Sequence, residues 1–411
     1  MNIVIVNDFG HINGGTAQVA ITSAIELANR GFEIFFLCAV SPIDVRLQAQ
    51  KNIHVVCTNQ NDILTNPRRI TAALQGVWNF NSAKIIRAVL SALEPNETIV
   101  HIHGWTKALS HSVISEANRA GFRLVITLHD YFIACPNGGF FDFQKDALCP
   151  LQALSLRCIV TNCDSRNYAH KLWRVVRGYV QKKIINHPSI NQYIVISDTS
   201  TKILFPYLSE NANVYLLPNP IESTKLDRVP VEQNEKFYAI GRLSPEKGFD
   251  LFSKAGKELG IKIVFIGDGP MQKELFQINP DAQFLGWLPR NTLNRELSSA
   301  RALVFCSKSY ETQGLVISEV ASLGIPSIVS DITAGKESII ENQTGLLFKS
   351  NSIEDLKQKM TTIMKDDQLT RYLSEKAYEK FWQDTPIIGK YTDGLINIYH
   401  RILNGNAVHT E

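Results

Sequence analysis

The chain is poor in cysteine, with 7 in 411 residues. That scarcity excludes a secreted disulfide scaffold, and a reducing, cytoplasmic setting is expected. Charge of one sign is lacking too. Lys and Arg number 42 against 39 Asp and Glu, a net charge of +3. Such a weak field gives no reason to expect a nucleic-acid partner. No apolar run approaches the roughly 18 residues that a membrane-crossing helix needs; the longest, such as Glu33–Val40, have strand length. The opening MNIVIVND has no basic segment and carries Asp8, so it does not read as a secretory leader. There is no short-period repeat and no low-complexity stretch. What remains is ordinary globular composition, 45% hydrophobic and 20% charged, which excludes disordered, collagen-like and coiled-coil classes. The length suits two domains of about 200 residues, or three smaller ones.

What is present is alternation. Asn2–Val6 is a strand-length apolar run, followed by a turn at Gly14–Gly15. Ala17, Ala20, Ile21, Ala24 and Ala28 then recur at helical spacing, and Phe32–Cys38 is the next strand. Strand, loop, helix and strand in this order make a βαβ unit with parallel pairing. Strands are expected again at Ile53–Cys57, Thr98–Ile102, Arg123–Leu128, Gln192–Ser197 and Asn213–Leu217. Helices are expected at Ser82–Leu93, Lys107–Ala120 and Ser165–Asn186. Pro218, Pro220 and Pro230 with a run of polar residues then interrupt the pattern, so 222–235 reads as a linker. Alternation resumes at Lys236–Ile240, Lys262–Ile266, Gln283–Leu285, Ala302–Phe305 and Pro326–Val329. Beyond Ile353 only helix is expected. The organisation is therefore α/β, with two doubly wound parallel-sheet domains, 1–221 and 236–385. An irregular cysteine-containing insert lies near 131–164, and a C-terminal helix and tail cover 386–411.

In such sheets ligands bind beyond the carboxyl ends of the strands. Three constellations lie there. Glu311-Thr-Gln-Gly-Leu-Val-Ile-Ser-Glu319 follows a strand, and Gly314 opens a helix. Free N–H groups at a helix start bind anions, while flanking carboxylates accept bonds from sugar hydroxyls. Gly241-Arg-Leu-Ser-Pro-Glu-Lys-Gly248 places Arg242 and Lys247 at another strand end, where both could offset the charge of a diphosphate. Gly267-Asp-Gly-Pro270 allows close backbone approach at a third. Each is also compatible with a plain solvated turn.

Taken as an ordered set, IGRLSPEKG, IGDGP, FLGWLPR, ETQGLVISEVASLGIPSIVSD and TGLLF resemble the family-four retaining glycosyltransferases of GT-B fold, also called glycosyl transferases group 1, of the bacterial cell-surface polysaccharide type. The likeness is strong over Phe237–Phe348 and looser at Gly14–Gly15 and His129. It implies two Rossmann-like domains facing a central cleft, with the last helix crossing back to the first domain. It implies transfer of a sugar from a UDP- or GDP-sugar to a hydroxyl of a glycan or lipid-linked acceptor, with retention at the anomeric carbon. By the same resemblance Arg242 and Lys247 bind the donor diphosphate, and Glu311 contacts the transferred sugar. Glu319 bonds the ribose, and Gly314 and Leu315 lend N–H groups. Gly15 faces the diphosphate, and His129 stands beside the reacting sugar as an orienting group. Thr16-Ala17-Gln18, Gln313 and Thr333-Ala334-Gly335-Lys336 depart from the family pattern. The chain has no Asp-x-Asp triplet of the kind that holds a divalent ion in GT-A enzymes. No cofactor beyond the donor is expected, and the diphosphate charge would fall to Arg242, Lys247 and the helix start.

Two features lie outside that set. Cys135, Cys149, Cys158 and Cys163 could hold a structural zinc, although no Cys-x-x-Cys occurs; reduced thiols or a disulfide are the alternatives. The segment 166–183 alternates Arg166, Lys171, Arg174, Arg177, Lys182 and Lys183 with apolar residues. It suits either an anionic membrane surface, which would make the protein peripheral on the inner face of the plasma membrane, or a helix packed on the sheet with a solvated basic face. Three other functions compete. A nucleotide-sugar epimerase would need acid and base groups on the sugar. A dinucleotide oxidoreductase would need a Gly-x-Gly-x-x-Gly after a strand, and none occurs. A non-enzymatic surface-binding relative would leave the four cleft residues idle.

Overall fold

The computed structural model describes residues 1–385 and 387–405. The chain forms two compact units. The first comprises Met1–Gly138, Leu151–Pro220 and the C-terminal segment; the second comprises Gly139–Pro150 and Ile221–Thr385.

The first unit is built on a seven-stranded parallel sheet. In chain order its strands are β1 Asn2–Val6, β2 Glu33–Cys38, β3 Ile53–Cys57, β4 Thr98–Ile102 and β5 Arg123–Leu128. A two-strand hairpin, β6 Phe141–Asp142 and β7 Ala147–Leu148, intervenes before β8 Gln192–Val195 and β9 Asn213–Leu216. The spatial order is β3-β2-β1-β4-β5-β8-β9. The second unit contains β10 Lys236–Ile240, β11 Ile263–Ile266, β12 Gln283–Phe284, β13 Ala300–Phe305, β14 Ser327–Ser330 and β15 Gly345–Phe348. These lie in the order β12-β11-β10-β13-β14-β15, again parallel throughout. Both sheets reverse winding direction beside their first strand, between β1 and β4 and between β10 and β13. That reversal opens a crevice at the carboxyl ends of those strands, where doubly wound sheets bind ligands.

Helices cover both faces, so the central strands are nearly continuous apolar runs. In the first unit Ile3, Ile5, Ile34, Phe36, Ile99 and Val125 pack with the helix Gly15–Asn29. The C-terminal helix Ile388–Leu403 adds Tyr391, Leu395, Ile398, Tyr399 and Ile402 to the same core. Arg30 ties it down further, bonding to the Asp393 carboxylate and donating to the Gly389 carbonyl. Thus the last helix does return to the first unit; Pro386 and 406–411 of the expected tail lie outside the described residues. In the second unit Phe237, Ala239, Phe265, Ala302 and Val304 pack one face, while Tyr238, Val264, Leu303 and Val329 pack the other.

Several details differ from the expectation. The stretch 222–235, read as a linker, is part of the second unit. Val229 and Val231 are buried in its core, and the Val229 N–H donates to the Leu323 carbonyl. The hairpin inside the segment 131–164 also belongs to the second unit, where Lys308 bonds Asp146. The helix expected from Lys107 starts only at Ser112. The N–H groups of Lys107, Ala108 and Leu109 are instead held by the Asp8 carboxylate at 2.8 Å each, which fixes a loop there.

The four clustered cysteines fall in different units. Cys149 follows β7 in the segment Gly139–Pro150 of the second unit. In the first unit the buried Lys171 ammonium stands 3.4 Å from Cys158 Sγ and 3.2 Å from Cys163 Sγ. The ammonium donates to both sulfurs, and its charge in that position opposes that of a metal ion. No group of three or more His, Cys, Asp or Glu side chains suited to a metal ion is found among the described residues. Lys171 also alters the reading of the basic helix, now Tyr168–Ile185. Lys171 and Arg177 are buried and Arg174 is half-buried, so much of the basic face points inward. Leu172, Val176 and Tyr179 are exposed beside Lys182 and Lys183.

Candidate active site

The loop after β13 carries Glu311. Its backbone is left-handed, with φ 49°, a conformation that costs a non-glycine residue on the order of 1–2 kcal/mol. Glu311 Oε1 accepts from Lys247 Nζ at 2.8 Å, Ser307 Oγ at 2.7 Å and Ser309 Oγ at 3.3 Å. Burial works against the carboxylate charge, but Lys247 and the two hydroxyls outweigh it and hold the group below the usual range. Burial likewise opposes the Lys247 charge, and Glu311 overcomes it, raising the ammonium above its ordinary value. Both groups are therefore ionised at neutral pH.

The loop after β10 supplies Lys247 and lies against the loop after β13. Ser307 Oγ donates to the Glu246 carbonyl at 2.9 Å, and the Lys308 N–H donates to the same oxygen at 2.8 Å. A Cβ on Gly248 would stand 2.1 Å from the Cys306 carbonyl oxygen, so only glycine permits this approach. Arg242 is exposed on the same loop, without an ion-pair partner among the described residues.

Gly314, with φ 83°, caps the helix Leu315–Ala321. This helix has only seven residues, so its local N–H groups matter more than its macrodipole. Glu319 lies within it, half-buried. Burial raises its carboxyl above the usual range, against a smaller opposing effect of Arg290. The second unit thus unites Lys247 with Glu311 by a direct bond. Arg242, Gly314, Leu315 and Glu319 sit on the loops and helix start at the same carboxyl ends of β10 and β13.

Gly15 and His129 belong to the first unit. A small cavity of about 50 Å³ there is lined by residues including Asn13, Thr16, His103, His129 and Asp130. Gly15 opens the helix between Asn13 and Thr16 and is exposed. His129 Nε2 hydrogen-bonds His103 Nδ1 at 3.0 Å, and the two rings stack. His101 bonds Tyr399 Oη at 2.6 Å and Thr127 Oγ1 at 2.7 Å. Burial pushes His101 and His129 down to about 3. His103 is pushed well below the usual value by burial and by its histidine neighbours. All three rings are neutral at physiological pH, and His103 Nε2 is buried without a hydrogen-bond partner.

Asp8, His101, His103, Asp130 and the serines that hold Glu311 were not foreseen. Their signal was present: NDFG after β1 and His101-Ile-His-Gly104 across the end of β4 put polar residues where an apolar strand ends.

Residues 222–380, within the second unit, match the family model described as glycosyl transferases group 1. Among curated relatives, the sulfoquinovosyl transferase SQD2 of Arabidopsis thaliana is 32% identical over 148 residues, covering 34% of this chain and 29% of its own length. The first curated relatives matched are spanned over only 28% to 41% of their lengths. Solved structures match almost end to end. Anabaena Alr3699/HepE in complex with UDP has a TM-score of 0.68 at 16% identity, covering 97% of this chain and 100% of that one. Sucrose-phosphate synthase from Thermosynechococcus elongatus has a TM-score of 0.70 at 17% identity, covering 98% and 100%. The fold of the whole chain is therefore that of the GT-B glycosyltransferases.

Proposed function

We propose that the protein transfers a sugar from a nucleotide-sugar donor to a hydroxyl of a glycan or lipid-linked acceptor, with retention and without a metal ion at the diphosphate. The observation that carries this reading is the Lys247–Glu311 pair, at the carboxyl end of β13 and short of the Gly314 helix start. Transfer requires charge to build on the departing diphosphate. Lys247, Arg242 and the N–H groups of Gly314 and Leu315 supply positive charge and donors for it, already oriented before reaction. Lys247 would serve the diphosphate while keeping Glu311 ionised. Glu311 can then accept bonds from the hydroxyls of the transferred sugar. Glu319, on the following helix, would accept from the ribose.

The acceptor would be held by the first unit, near Gly15 and His129. His129 is neutral, so it would orient a hydroxyl rather than carry charge. The departing phosphate would take the acceptor proton, so no protein base is required. Lengthening of a bacterial cell-surface polysaccharide on the cytoplasmic side of the membrane is the setting we favour, from the motif resemblance alone. No helix of the described residues is long and apolar enough to cross a membrane. A peripheral membrane contact would rest on Leu172, Val176 and Tyr179 with Lys182 and Lys183.

The test is incubation with labelled UDP- and GDP-sugars and a panel of glycan acceptors, with and without EDTA. Transfer that survives EDTA and yields the donor's anomeric configuration in the NMR spectrum of the product is expected. An inverted product, strict dependence on added divalent ion, or epimerised free donor without an acceptor would each overturn part of the reading.

A further inference from the structure

A second cavity in the first unit, about 500 Å³, opens between the helices Arg69–Val77 and Tyr168–Ile185. It shares Thr106 and Lys107 with the small cavity beside His129, so the two adjoin. Its lining includes Lys107, Arg69, Arg166, Arg174 and Arg177, and no Asp or Glu. Of these only Arg174 meets a carboxylate, Asp164 at 3.3 Å; the other four have none within ion-pair range among the described residues.

Arg177 is the telling member. It is only 7% exposed. Its guanidinium carbon lies over the rings of Phe132 and Trp173, 5.1 Å from each centroid. One nitrogen donates to the Thr106 carbonyl at 2.9 Å, which leaves most of its five donors unused. Burial, with Arg174 nearby, lowers its pKa to about 10, and it remains charged at neutral pH. Asp130 and Asp8 attract this charge, but from beyond ion-pair range, so the buried guanidinium has no carboxylate bonded to it and is costly to keep. Two aromatic rings nonetheless favour the cation where it stands, the arrangement of a cation held ready for an anion. Beside Thr106 and His170 the wall has an apolar stretch of Ile63, Leu64, Ala73 and Trp173, the last anchored by its indole N–H to the Ala73 carbonyl at 2.9 Å.

We propose that this cavity binds an oxyanion carried on a sugar, a uronate carboxylate or a sugar phosphate, and so selects an acidic acceptor. The proposal rests on the reading of the first unit as the acceptor side. The anion would meet Arg177 and Arg166 while the less polar face of the ring lies on the apolar wall.

Direct titration calorimetry on the full chain tests it, with glucuronic acid, glucose 1-phosphate, glucose and inorganic phosphate as separate probes. At least one acidic sugar should bind about tenfold or more tightly than glucose and than phosphate alone, since one charge-assisted bond is worth that much. The two acidic probes distinguish carboxylate from phosphate. Arg177→Gln and Arg166→Gln should each weaken the acidic sugar about tenfold, while Lys84→Gln, at an exposed site elsewhere in the unit, should not. Arg166 is exposed, so its variant tests the site even if Arg177→Gln fails to fold. UDP binding, measured on the same samples, should be unchanged. Equal affinity for acidic and neutral sugars, or acid binding indifferent to Arg166→Gln, overturns the proposal. Binding of anionic vesicles but of neither acidic sugar overturns it in favour of a membrane contact. Loss of nucleotide binding in the parent protein would instead count against the transferase reading.

Discussion

Glu311 and Lys247 hold each other ionised, and that gives stability a definite pH dependence. The Glu311 pKa is depressed on folding. Its contribution is therefore present above the ordinary glutamate value, about 4.3, and is lost as pH falls through the lower folded value. The Lys247 pKa is raised, so its contribution is intact below the ordinary lysine value of about 10.4 and is lost only above it. Thermal unfolding should show a shallower acid limb in the Glu311→Gln/Lys247→Met double variant than in the parent; equal limbs would contradict the pairing. Lys247→Ala alone leaves a carboxylate without its cation in a site about a fifth exposed, and a loss of roughly 1–3 kcal/mol is expected after allowance for screening.

His129 gives a second expectation at this scale. Burial holds it neutral with a pKa of about 3. The pH profile of kcat/KM should then have no limb near 6.5 that vanishes in His129→Ala, although the variant itself should turn over more slowly. A limb near that value belonging to His129 would assign it a general-base role. Much of the candidate site was legible in the sequence because Arg242, Lys247, Glu311 and Glu319 cluster after apolar strands. Asp8 and Ser307 were not, because their importance lies in which backbone N–H or carboxylate they meet across about 100 residues or across one turn.

The turns between elements carry the site, and they carry it on glycine. A Cβ at Gly269 would lie 2.3 Å from the Leu243 carbonyl oxygen, and one at Gly248, with φ 66°, would lie 2.1 Å from that of Cys306. Gly248→Ala combines left-handed strain with a backbone clash and should cost about 2–4 kcal/mol, separating the Lys247 and Glu311 loops. Denaturant unfolding with a nucleotide-binding measurement checks this; unchanged binding would show that the loops tolerate the shift. The long apolar strands were readable from their patterns, because burial on both faces leaves them few polar positions. Short elements escaped, such as the helix Arg69–Val77 and the hairpin β6–β7. Too few residues in them repeat a period, and distant partners decide their fate. The helix after Lys107 started late for the same reason: Asp8, far away in sequence, claims three N–H groups.

At the scale of the whole molecule, the chain returns to its first unit at the end. Leu395 and Tyr399 are fully buried there, and Tyr399 bonds His101. Leu395→Ala should lower the stability of the first unit by about 2–4 kcal/mol, while nucleotide binding by the second unit survives. If both fail together in denaturant titrations, the two units are more strongly coupled than their separate cores imply. The two-sheet organisation was visible in the alternation, and so were the divisions near residues 220 and 385, but the membership of 139–150 and 222–235 in the second unit was not. The stretch 222–235 looked like a tether because it is polar, carries Pro230 and follows Pro218 and Pro220, yet two valines anchor it in a core.

The central claim is that the second unit binds a nucleotide sugar through Arg242, Lys247, Glu311 and Glu319. The measurement that meets it most directly is thermal unfolding with UDP, GDP and ADP and their sugars, in the parent and in Glu319→Ala and Arg242→Ala. A ligand at 100 times its Kd adds about 2.7 kcal/mol of stability. One nucleotide class should raise the melting temperature of the parent, and both variants should lose most of that shift. No shift with any nucleotide, or a shift that both variants keep, would contradict the assignment of the donor site.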